Sequence, residues 1–68
     1  MQRNKIREKR IALGLSQVKL AFLVGVPNSV ISDFELGKRY VWPKAREALL
    51  RVFEADENEI FPEDNDGD

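Results

Sequence analysis

The sequence predicts an all-α fold of five short helices, and three observations carry that prediction. Apolar residues recur at helical spacing along most of the chain. Glycines and capping residues stand where those periodic stretches stop and start. Nowhere do apolar and polar residues alternate over the length of a half-buried strand. At 68 residues there is room for one small core, and a net stability of roughly a few kcal/mol.

The first helix is expected over residues 5–13, where Ile6, Arg10 and Leu13 recur at helical spacing and Gly14 punctuates the end. Ser16 is a side-chain cap for a second helix from Gln17 to Val24, with Leu20, Ala21 and Val24 facing inward. Gly25 ends it. Pro27 opens the third helix at a position where no amide hydrogen bond is needed. That helix runs from Asn28 to Leu36, with Val30, Ile31 and Phe34 as its apolar positions, and Gly37 stops it.

A basic, aromatic connector follows: Lys38, Arg39, Tyr40, Val41, Trp42. Tyr40 and Trp42 are expected to lie as a lid over the core. Pro43 begins a fourth helix to Phe53, with Ala45, Leu49, Val52 and Phe53 on its inner face. Asp56 and Glu59 have the spacing of a capping box for a short fifth helix ending at Phe61 and Pro62. The domain is thus expected over 1–62. Residues 63–68 are acidic, lack apolar side chains and are expected to be a disordered tail.

Composition excludes several classes of function. There is no cysteine and no histidine, so disulfides, thiolate or imidazole metal sites and Ser-His-Asp or Cys-His catalysis have no residues to work with. No enzyme activity, metal or cofactor is expected. Asp64, Asp66 and Asp68 alternate, but Gly67 is misplaced for a calcium loop and no bidentate Glu follows. The longest apolar run, Leu20 to Val24, falls far short of the roughly 18–20 residues that span a bilayer. The mostly charged start lacks the apolar core of a secretion signal. A cytoplasmic protein without a membrane partner is the expectation.

The centre of the chain has a more specific grammar. Two helices meeting steeply need a small residue at their crossing, and Ala21 supplies it. The turn between them needs a residue free to take positive φ, which Gly25 supplies. Ile31 and Phe34 anchor the second helix of the pair, while Leu20 and Val24 present the first to the same core. These are the requirements of a helix-turn-helix.

Leu15-Ser16-Gln17, Leu20-Ala21, Gly25-Val26, Ser29, Ile31-Ser32, Glu35 and Gly37-Lys38-Arg39 resemble the signature of the lambda-repressor-like (Cro/cI, XRE) helix-turn-helix family. The resemblance extends to Arg10 and to Glu59-Ile60-Phe61, covering about residues 4–62. It implies a compact five-helix DNA-binding domain whose third helix enters the major groove of double-stranded DNA. Asn28, Ser29, Ser32 and Asp33 would then meet base edges. Asn pairs well with adenine and Ser is permissive. Gln17, Lys38 and Arg39 would meet phosphates, Gln17 with help from the free N–H groups of its helix. Arg10 and Glu35 would form a partly buried ion pair, with phosphate as a second role for Arg10.

The resemblance further implies a transcriptional repressor, acting as a homodimer on a pseudo-palindromic operator, with no small-molecule ligand. An antitoxin or a restriction-modification controller of the same fold is an alternative. So is a protein-interaction module that has lost DNA binding. Some residues depart from the family pattern. Asp33 puts an anion where relatives carry neutral or basic side chains, which either narrows specificity or weakens binding. Pro27 replaces a polar cap, and Lys9 stands where relatives often have Leu. Phe22 and Leu23 occupy normally charged positions, and are either a patch for a protein partner or incidental exposure.

The net charge of −1 hides an uneven distribution. Residues 1–51 hold all 11 basic residues and four acids, giving +7. Residues 52–68 hold eight acids and no base, giving −8. The part that resembles a DNA reader is strongly basic, except for the last stretch of its scaffold.

Overall fold

The computed structural model describes residues 4–62, so the expected tail at 63–68, with its alternating aspartates, lies outside the described residues. Five helices follow in order: α1 (Ile6–Ala12), α2 (Gln17–Val24), α3 (Asn28–Leu36), α4 (Pro43–Phe53) and α5 (Glu57–Ile60). No strand occurs among the described residues. α2 packs against both α3 and α4, and α1 packs against the same two helices from the other side of the sequence.

One device closes four of these helices. The chain turns through a left-handed residue, and the next amide reaches back to a carbonyl five residues earlier. Leu15 N–H donates to Arg10 O at 3.0 Å, Val26 to Ala21 O at 3.1 Å, Lys38 to Asp33 O at 2.9 Å and Ala55 to Leu50 O at 3.1 Å. Gly14, Gly25 and Gly37 supply the positive φ at the first three ends, and Glu54 takes φ 52° at the fourth. At Gly25 a Cβ would meet nothing within 4 Å, so its requirement is backbone conformation and not space.

Helix starts follow the expected chemistry in part. Ser16 caps α2, its hydroxyl accepting from Lys19 N–H at 3.0 Å. The Asp56–Glu59 capping box opens α5, with the Glu59 carboxylate accepting from Asp56 N–H at 2.8 Å. Pro27 gives α3 no side-chain cap. α1 begins with a contact that periodicity could not reveal. The Asn4 side chain accepts from Ile6 N–H at 3.1 Å and donates to Phe34 O at 2.8 Å, pinning the start of α1 to the end of α3.

The core is made of Ile6, Leu20, Ala21, Ile31, Phe34, Val41, Ala45, Leu49, Phe53, Ile60 and Phe61. Val24, Val30 and Val52 pack against it while partly exposed. Two expectations need correction. α1 is one residue shorter at each end than the expected 5–13: Lys5 is its N-cap and Leu13 its C-cap, the leucine about half exposed. The lid also divides. Trp42 packs edge-on against Phe34, ring centroids 5.2 Å apart, whereas Tyr40 points to solvent at 65% exposure. Val41, between them, is the fully buried residue of the connector.

The far end of the chain closes on the beginning. Lys5 N–H donates to Ile60 O at 2.8 Å. Arg46 lies over the Phe61 ring at 4.2 Å and pairs with Glu57 at 2.9 Å, joining α4 to α5. The terminal helix thereby completes the core behind α1 and α4.

Candidate nucleic-acid interface

The candidate interface is built on α3, because Ile31 and Phe34 fix which side of that helix faces inward. Both are fully buried, so the opposite side is turned outward. Asn28 and Ser29 are exposed on it, and Ser32 and Asp33 are partly so. The four lie one turn apart in pairs, forming a short polar row near the helix start. Lys38 and Arg39 follow the left-handed Gly37 and are also exposed.

Orientation of α3 comes from a buried charge cluster. The Glu35 carboxylate side chain is only 2% exposed and accepts from three directions. Arg10 donates through Nε at 2.6 Å and through Nη2 at 3.4 Å, and Gln17 donates through Nε2 at 2.9 Å. Arg10 Nη1 also donates to Leu15 O at 2.8 Å. One carboxylate therefore ties α1, the start of α2 and α3 together. A carboxylate withdrawn from water needs this density of donors, since an unpaired buried charge is strongly unfavourable.

The expected Arg10–Glu35 ion pair is present. Gln17, expected at phosphate, also gives one amide hydrogen to Glu35. The separation of 18 residues between Gln17 and Glu35 leaves no local signal for this pairing. Arg39, also expected at phosphate, turns back over α3. Its Nε and Nη2 both donate to Asp33 Oδ2, at 3.3 Å and 3.0 Å. The reversal at Gly37 brings Arg39 alongside the last turns of α3, which linear spacing did not disclose.

Phe22 is 77% exposed and Leu23 43% exposed, both on α2. Lys19 stands over the Phe22 ring at 5.8 Å. Among the described residues no group of three or more His, Cys, Asp or Glu is placed to hold a metal ion. No helix among them is long and apolar enough to cross a membrane.

A family model described as helix-turn-helix matches residues 6–56. This chain belongs to the XRE-like, Cro/cI-type helix-turn-helix family. The helix-turn-helix is α2–Gly25–α3, and the chain is a DNA-binding regulator of this kind. Among solved structures, the restriction-modification controller protein C.AhdI from Aeromonas hydrophila is similar. It is 36% identical, with 81% of this chain and 83% of that chain covered, and a TM-score of 0.75. No curated protein matches. α3 is the second helix of that motif, and the residues it leaves outward are those not used by the core.

Proposed function

We propose that this helix-turn-helix protein is a sequence-specific transcriptional repressor. It binds a pseudo-palindromic operator in double-stranded DNA as a homodimer, with half-sites about one helical turn apart. The observation that carries this is the polar row Asn28, Ser29, Ser32 and Asp33 on the outer side of α3, held in place by a buried carboxylate. Asn28 and Ser29 reach base edges first, being nearest the start of the helix, and Ser32 follows one turn on. Lys38 meets phosphate. At α2 the N–H groups of the first turn meet phosphate together with Gln17, whose Nε2 gives one hydrogen to Glu35 and keeps a second to donate.

A second reading is favoured by one observation. The likeness to a restriction-modification controller extends over most of both chains. In that reading the regulated genes encode a restriction enzyme or its methyltransferase, and a gene of either kind beside the one encoding this chain would support it.

Retardation of duplex DNA across a salt series tests the common core of both readings. Affinity should fall steeply with log salt, as Lys and Arg release phosphate counterions. Asn28→Ala should relax base preference at one position of each half-site, at a cost of about 1–3 kcal/mol. Lys38→Ala should weaken all sequences alike and flatten the salt slope by about one unit. Failure to retard any duplex at low salt would reject DNA binding, and turn attention to the exposed Phe22 and Leu23 as a protein-contact surface.

A further inference from the structure

Asp33 poses a problem for a DNA reader, since a carboxylate on the reading side repels phosphate. Its pairing with Arg39 changes what both residues offer. Asp33 Oδ2 takes the Nε–Nη2 side of the guanidinium, with bonds of 3.3 Å and 3.0 Å. That leaves the end-on edge, Nη1 and the second Nη2 hydrogen, without a partner among the described residues. Asp33 Oδ1 likewise makes no bond to another described residue. The pair is neither buried nor loose in water: the Arg39 side chain is 48% exposed and that of Asp33 35%.

From this geometry we infer that Asp33 and Arg39 act as one specificity-determining unit, in which Asp33 aims the Arg39 end-on edge at a guanine. The inference rests on α3 entering the major groove. Two parallel N–H groups match guanine O6 and N7, a fit that a flexible arginine reaches only after losing rotamer freedom. A carboxylate on its other edge holds that rotamer beforehand. The same pairing neutralises Asp33, which removes its repulsion of the backbone. Oδ1 remains an acceptor for the amino group of an adjacent base, cytosine N4 or adenine N6. Arg39 is therefore a base reader in this inference and not a phosphate clamp. Lys38, one residue earlier and without such a partner among the described residues, keeps the phosphate role.

Selection of bound duplexes from a random pool tests this, using the full chain and its Arg39→Ala, Arg39→Lys and Asp33→Asn variants. Thermal melting confirms that each is folded. Wild type should enrich a guanine at one position of each half-site. Arg39→Ala and Arg39→Lys should both lose that preference, a roughly five- to hundred-fold fall in discrimination there, while preferences elsewhere survive. Lysine fails because it lacks the two-pronged edge. Asp33→Asn should weaken the guanine preference and raise affinity for unselected DNA.

The inference is overturned if Arg39→Ala keeps the guanine and weakens every duplex alike. It is also overturned if Asp33→Asn leaves the preference unchanged, or if wild type enriches other bases but no guanine. Those results leave the DNA-binding proposal standing. Wild type that enriches no sequence at all overturns the inference together with the sequence-specific reading beneath it.

Discussion

Two ion pairs on α3 have nearly the same chemistry and opposite surroundings. Glu35 and Arg10 meet at 2.6 Å with side chains 2% and 12% exposed. Asp33 and Arg39 meet at 3.0 Å with side chains 35% and 48% exposed. The two carboxylates are two residues apart, so the helical twist sends them to different sides. Burial then separates their roles. Glu35 is shielded from water and must be fully bonded, so it fixes the helices against one another. Asp33 is screened by solvent and adds little to stability, which leaves it free to shape what the outer surface presents.

The largest effect expected from this contrast is on stability at Glu35. Glu35→Ala strands Arg10 and Gln17 without their acceptor and should cost about 3–5 kcal/mol. For a domain of this size that approaches the whole of its stability. Chemical denaturation followed by circular dichroism would read it, and a variant that unfolds with wild type would erase the distinction between the pairs. Gln17→Ala removes one hydrogen bond to the same carboxylate, and should lower stability by about 1.5 kcal/mol in the same measurement. Asp33→Ala should change it by no more than about 0.5 kcal/mol. Double-mutant cycles sharpen the contrast: coupling between Arg10 and Glu35 should clearly exceed that between Arg39 and Asp33. Equal couplings would mean that burial does not separate the two.

Most helices could be read from the chain, because their ends are local chemistry. Ser16, Gly25, Gly37, Pro43 and the Asp56–Glu59 box act within a few residues of themselves, and α2, α3 and α4 begin and end where they predict. The end of α1 is less sharply marked: Leu13 continues the spacing of Ile6 and Arg10, yet the chain is already leaving the helix there, just before the left-handed Gly14. The connector was harder. Tyr40, Val41 and Trp42 are all apolar or aromatic, and only the path of the backbone between α3 and α4 sorts them into exposed, buried and half-buried.

The candidate site divides along the same line. The outward row on α3 follows from knowing its inward residues, so Asn28, Ser29, Ser32 and Asp33 could be named beforehand. The partners of Gln17 and Arg39 could not. Gln17 meets Glu35 across a separation of 18 residues, and Arg39 meets Asp33 through the reversal at Gly37.

The amino-acid order was thus sufficient for the helices, the turn between α2 and α3, the family and the uneven charge, since each depends on neighbours or on recurring spacing. Which polar groups are spent holding the fold, and which stay available to a partner, was settled in three dimensions. A side chain's role depends on how much water it loses and which donors converge on it, and both are properties of packed helices rather than of any stretch of chain.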